Sequence, residues 1–357
     1  MAKKEWRIVP DVKHSDFSPL VNQVINPETK QISSFLIKAR GGTGKSHLMK
    51  QLQSKLDENN VEYITMAPTN VACININGTT IDLNVNRISK NIKGFSAQVV
   101  FVDEIGMVSE KFLKFFSTLK RMKPELKFIL CGDWTQLTPI CDRVKDADYE
   151  NAPVIHELVD GNQINLSNCR RSDDIIFNMT KPENIKHIDP SKYGKKLCNI
   201  NLCWTNKKRK QINADLMMKH KKDKVHVKVD FLKYDENTQD IYIYSGLPLI
   251  SRKTCNIKTN DKSVRICKNE MFKVVRLSKD RLNVDIISQI RKDIKFNVPV
   301  NKFSLFFKPA YAITVHSSRS LTISEDICIF EWEHFSDRMR YVAISRCQNI
   351  SQLNFIK

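Results

Sequence analysis

A chain of 357 residues has room for two or three domains, and a hydrophobic fraction of 41% is enough to bury a core in each. No run approaches the ~18 continuous apolar residues of a membrane span, and the first six residues (MAKKEW) lack an apolar signal core, which argues against a membrane or secreted protein. Fifty-eight Lys and Arg against 39 Asp and Glu leave a net charge of +19, which favours a polyanionic partner, nucleic acid before a membrane surface. The ten cysteines form no CxxC pair and no Cys/His zinc spacing. They read as reduced thiols of an intracellular protein, cytoplasmic or nuclear, without a structural zinc.

Residues 1–30 read as a polar lead-in containing Pro10, Pro19 and Pro27. Gln23 lies there, upstream of the first apolar run, where an adenine-reading glutamine could sit; a solvated loop residue is the plainer alternative. Phe35, Leu36 and Ile37 then read as a buried strand, and Leu48, Leu52 and Leu56 as one face of a helix. Between them stand Gly41-Gly42-Thr43-Gly44-Lys45-Ser46. Strand, glycine-rich turn and helix in that order are what a phosphate-binding loop requires. The glycines let backbone N–H groups cradle phosphate oxygens at the helix N-terminus. Lys45 is expected to reach the β- and γ-phosphates of ATP, and the Ser46 hydroxyl to ligate Mg²⁺. The first glycine of the motif is replaced by Ala39, a change that costs about 1 kcal/mol only if the position needs positive φ.

A second strand is expected over residues 61–66, running into Ala67-Pro68-Thr69-Asn70. The apolar run Val99–Val102 ends in Asp103-Glu104, the pair for a Walker B strand: Asp103 holding Mg²⁺ through water, Glu104 polarising the attacking water. A further strand over 126–130 leads into Gly132-Asp133-Trp134-Thr135-Gln136 and on to Pro139. Strands that alternate with helices and end in polar residues describe a parallel sheet with its site at the strand C-termini.

The second half opens on Arg170-Arg171. A very basic stretch follows at 207–224, a solvated helix face or a nucleic-acid contact. Short alternating pieces over 240–300 read as a small β-rich insert. The chain closes with 310–322, a strand at 327–330, and Arg340 to Arg346. No internal repeat is visible.

With these blocks in order, the chain resembles a superfamily 1B helicase of the RecD/Dda/Pif branch. Motif I resembles residues 39–46, motif Ia 67–72, motif II 103–107 and motif III 132–139. A motif IV arginine falls at Arg170, a TNK-type block at 204–207, motif V at 314–322 and motif VI at 341–346. The resemblance implies α/β architecture: two RecA-like parallel-sheet P-loop domains with a small β-rich, Src-homology-3-like insert in the second. The expected boundaries are a lead-in at 1–30, domain 1 at 31–165 and domain 2 at 166–357, with the insert at about 245–305.

It further implies an ATP-dependent helicase or translocase that moves 5′→3′ on single-stranded DNA in replication, recombination or repair; the compact size and the Asn/Ile/Lys-rich composition suggest a large DNA virus or similar replicon. A monomer is expected, with replication or recombination proteins as further partners. Arg170 and Arg346 would come from the second domain as arginine fingers, and Gln136 would sense the γ-phosphate. Pro68, Thr69, Thr314 and His316 resemble strand contacts. Where relatives read HKSQG, this chain has His316-Ser317-Ser318-Arg319-Ser320, and Arg319 is the candidate to replace the missing lysine. The histidine of the GxTIH block is Asp82, and the short segment after it leaves little room for a strand-splitting pin. The alternatives are an RNA helicase of the same superfamily, or a decayed helicase-like subunit that binds nucleic acid and unwinds poorly.

Overall fold

The computed structural model describes residues 5–13, 16–136, 150–258, 263–321 and 323–356. Residues 137–139 of motif III, Thr322 of motif V and Cys141 lie outside the described residues. The chain divides into two compact units, one running through Phe177 and the other starting at Asn178.

The first unit is built on seven parallel strands: β1 (Arg7–Pro10), β2 (Phe35–Ala39), β3 (Tyr63–Ala67), β4 (Thr79–Thr80), β5 (Val99–Val102), β6 (Lys127–Gly132) and β7 (Asn162–Leu166), in the order β1-β7-β2-β6-β5-β3-β4. Its helices are α1 (Ser18–Val24), α2 (Lys45–Glu58), α3 (Asn70–Asn75), α4 (Ile81–Lys90), α5 (Glu110–Met122) and α6 (Pro153–Leu158). The sheet is covered on both faces, so its central strands are continuous apolar runs and alternate residues serve opposite cores. Val99 and Phe101 pack with Leu48, Leu52 and Leu56 of α2. Val100 and Val102 pack with Ile81 and Val85 of α4 and with Leu113 and Phe116 of α5. The stretch after Asp82, where a pin would be inserted, is occupied by α4 and a short connection to β5.

The lead-in at 1–30 is part of this fold and not an appendage. β1 pairs with β7 at the sheet edge, and α1 buries Leu20, Val21 and Val24. The strand at 35–39 is therefore the second of the unit. The division also falls beyond the boundary expected at 165. After β7 the chain stays with the first unit: Asp11 accepts the N–H groups of Ser167 and Asn168, and Arg40 donates to the Phe177 carbonyl at 2.9 Å while lying over its ring.

α7 (Asp174–Met179) runs across the division, and α8 (Pro182–Ile185) follows. The second unit then contains β8 (Ile200–Cys203), α9 (Asn206–Lys221), β9 (Val227–Val229), β10 (Ile241–Ile243), β11 (Pro248–Ser251), β12 (Cys255–Lys258), β13 (Ser263–Ile266), β14 (Met271–Leu277), β15 (Asn283–Ser288), β16 (Lys295–Pro299), α10 (Phe303–Phe306), β17 (Phe307–Pro309), β18 (Ala312–Thr314), β19 (Ile327–Phe330), α11 (Asp337–Ile344) and β20 (Leu353–Ile356). Four strands form a parallel sheet in the order β18-β8-β19-β20, and both parallel sheets are RecA-like. Five more form an antiparallel sheet, β16-β15-β14-β11-β17, at the place of the expected insert. Alternate burial along β15 (Val284, Ile286 and Ser288 inward) is the mark of a strand with one covered face. Among the described residues no cysteine is disulfide-bonded, no cluster could hold a zinc ion, and no helix is long and apolar enough to cross a membrane.

Candidate functional site

The phosphate-binding loop leaves the C-terminal end of β2. Ala39 is still within the strand, buried, and outside the left-handed region, so its methyl group costs the loop nothing. Gly42 and Gly44 are the positions that need glycine, at φ +87° and +93°. A Cβ on Gly44 would lie 2.7 Å from Phe17 Cζ and 3.1 Å from Arg170 Cδ. No side chain caps α2, which leaves the N–H groups of its first turn to an anion. Thr43 is buried with its hydroxyl on the Arg40 carbonyl, so of the loop's two hydroxyls Ser46 is the one set on the first turn of α2.

Lys45 points to the end of β5. Its Nζ is 2.8 Å from Asp103 Oδ1 and 3.5 Å from Glu104 Oε1. Burial works to lower the Lys45 pKa, but the two carboxylates outweigh it and raise it, so the ammonium stays charged. Burial pushes Asp103 upward against the pull of Lys45. Glu104 sits at φ +52°, a left-handed conformation that strains a non-glycine residue, and its N–H donates to Asp103 Oδ1 at 2.7 Å. Gln136 is buried, and its Nε2 donates to Asp133 Oδ2 at 3.1 Å. The same carboxylate oxygen accepts the Gly41 N–H at 2.9 Å. Asp133 thus ties motif III to the phosphate loop, a role that the residue type alone did not announce.

Arg170 belongs to the first unit, which corrects its expected origin in the second domain. β7 is a strand of the first sheet, and the chain leaving it crosses the loop: the Arg170 N–H donates to Gly42 O at 2.8 Å and Nη1 to Thr43 O at 2.7 Å. Its guanidinium also bonds both Asp11 oxygens, at 2.9 and 3.1 Å, and lies over the Phe17 ring. Asp11 and Phe17, from the supposed lead-in, are the site's other unforeseen members. Gln23 is exposed on the last turn of α1, whereas Phe17, at the opposite end of that helix, is the residue that reaches Gly44.

Pro68 and Thr69 follow β3, both half-buried, and Thr69 caps α3 by accepting the Ala72 N–H. In the second unit β18, β8 and β19 end side by side, with Thr314 opposite Cys203. Thr314 Oγ1 shares a hydrogen bond with Ser317 Oγ at 3.0 Å, and His316 lies at the surface. Desolvation of its ring, then the Arg319 charge, hold the His316 pKa below the usual range. Arg319, the expected replacement for the missing lysine, is only 7% exposed and so presents no open positive charge. Ser320, which follows it, has φ +61°. Arg346 is also buried, its guanidinium donating to Val342 O, Leu321 O and Ser345 Oγ.

Comparison with known proteins places this geometry. A model of the AAA domain matches residues 27–145. The ATP-dependent DNA helicase Pif1 of Campylobacter jejuni is 22% identical, with 87% of this chain and 86% of that protein aligned. Pif1 from Candida albicans superposes with a TM-score of 0.69 at 17% identity, covering 97% of this chain and 94% of that one. Bacteroides Pif1 bound to single-stranded DNA gives 0.67 at 16% identity, covering 96% and 92%. The chain is thus similar over most of its length to a Pif1 helicase in sequence and shares its fold with solved Pif1 structures. The AAA match takes in Lys45, Asp103, Glu104 and Gln136, but it begins after Asp11 and Phe17 and ends before Arg170.

Proposed function

We propose that this Pif1-like chain is an ATP-driven helicase that binds single-stranded DNA and travels along it 5′→3′, as a monomer, in replication, recombination or repair. The observation that carries the reading is the convergence of Lys45, Asp103, Glu104 and Gln136 on a glycine loop whose left-handed turns admit no side chain. The Campylobacter relative is a DNA helicase by name, and Bacteroides Pif1 has been crystallised with ADP-AlF3 and single-stranded DNA.

The residues present fit a magnesium nucleotide: an uncapped helix start for phosphate, and oxygen donors of the hard type that Mg²⁺ prefers in Ser46 and Asp103. When bound, the ion would neutralise charge on the transferred phosphoryl group. Lys45 would exchange its carboxylate partners for phosphate oxygens. Glu104, already held in its left-handed turn, would orient and deprotonate the attacking water. Gln136, fixed through Asp133, would follow the phosphate, and Arg170 and Arg346 would stabilise its developing charge. Pro68, Thr69, Thr314 and His316 are the proposed strand contacts.

The state of motif V favours a second reading within the same fold, an ATPase that holds the strand but unwinds weakly, because Ser317 and the buried Arg319 leave the family's lysine charge unreplaced. ATP hydrolysis with and without DNA or RNA oligomers, beside unwinding of forks carrying a 5′ or a 3′ tail, separates these readings. DNA-stimulated hydrolysis lost in Lys45→Ala supports the motor. Hydrolysis unchanged in that variant rules it out.

A further inference from the structure

Trp204 stands apart from the other tryptophans of the chain. Trp332 is buried and Trp6 and Trp134 are partly so, whereas Trp204 is 43% exposed. Its ring is stacked on the imidazole of His334, with centroids 4.8 Å apart and planes at 24°. The backbone beneath it is locked: Glu331 Oε2 accepts the N–H groups of Trp204 and Thr205, each at 3.0 Å, and Oε1 accepts the Thr205 hydroxyl at 2.8 Å. Thr205 in turn caps α9, whose first turn presents exposed Lys207. An indole stacked on one face, anchored through its backbone and 43% exposed leaves aromatic surface free for a partner to cover.

Its place in the fold says what that is. Trp204 immediately follows β8, between the ends of β18 and β19 in the sheet. The end of β18 carries Thr314 and His316, and neighbouring strands lie about 4.8 Å apart. We propose that Trp204, backed by His334, is a base-stacking platform for a single-stranded nucleic acid lying along this edge of the second sheet. The proposal rests on the reading of the chain as a strand-binding motor and gives that strand a stacking position at the head of the TNK-type block. Bases stack on such a platform whatever their identity, which suits a protein that must move along any sequence.

The test uses the full chain with a fluorescently labelled oligothymidylate and the same oligomer made abasic. Expected are roughly tenfold weaker binding by Trp204→Ala, within the range of one lost stacking contact, and near-parent binding by Trp204→Phe. The oligomer should quench tryptophan emission in the parent and fail to do so in Trp204→Phe. On the abasic strand parent and Trp204→Ala should bind alike, an equality that a merely structural role for the indole would not produce. Hydrolysis of ATP without DNA should be the same in all three. If the parent binds the oligomer but Trp204→Ala binds it equally well, or if quenching persists in Trp204→Phe, the platform is overturned and the motor reading stands. If the parent binds no oligomer, both fall together.

Discussion

Glu104 and Glu331 share one backbone conformation just past the end of a parallel strand, φ +52° after β5 in the first unit and +59° after β19 in the second, each directly before a short 3₁₀ turn. An L-residue pays about 1–2 kcal/mol for that conformation. The two carboxylates use it differently. Glu104 faces Lys45, and Glu331 holds the start of α9. Glu104→Gln should therefore abolish ATP hydrolysis while changing urea stability by less than about 1 kcal/mol. Glu331→Ala should cost about 2 kcal/mol, since it strips three hydrogen bonds from the entry to a helix, and leave basal hydrolysis in place.

Asp11 makes part of the first unit acid-sensitive. Burial would raise its pKa, but hydrogen bonds from Arg170 and from the Asn168 and Ser167 N–H groups outweigh that and hold it below 3.8. A depressed carboxylate contributes stability above its unfolded pKa and loses it as pH falls through the folded value. Asp11→Asn should thus cost about 2 kcal/mol at pH 7, with the melting curves of variant and parent converging below about pH 4.

Ser320 stands at φ +61°, in the left-handed region that favours glycine. Ser320→Gly relieves the contact between its Cβ and backbone, and should raise stability by about 1 kcal/mol in chemical denaturation. If the glycine also restores motif V, DNA-stimulated hydrolysis should rise in the same protein.

Lys308, on β17, is pushed down to about 8, first by burial and then by the charges of Arg209, Arg252 and Lys268, against which Asp235 is a weak counterweight. Between pH 8 and its ordinary value of 10.5 the unfolded chain binds the extra proton, so stability should rise with pH across that window. Lys308→Met keeps the stem and removes the charge. It should stabilise the protein by about 2 kcal/mol at pH 7, the gain vanishing near pH 10.5 in pH-dependent unfolding.

What could be read from the sequence was local. The strand at 99–102 with its two terminal carboxylates, the loop at 41–46 and the basic helix at 207–221 each carry their signal within a few residues, and each is where that signal puts it. The partnerships that finish the sites span the chain. Asp11 and Arg170 are 159 positions apart, Trp204 and Glu331 127, and nothing in a lone aspartate or glutamate announces such a partner. Ala39 looked like a flaw because the motif was read as spacing; in three dimensions it is the last residue of a strand. The left-handed conformations of Glu104 and Glu331 are likewise set by tertiary context, which no residue type at those positions announces.

The union of the N-terminal segment with the phosphate loop bears on how the protein can be handled. A truncation drawn at residue 27, where the AAA match begins, would look like a clean domain cut. It would remove Phe17 from beneath Arg170, take away the carboxylate that holds that guanidinium, and expose the edge of β7 left by β1. The trimmed protein would retain every residue of the recognisable motif and lose the surface against which that motif is folded.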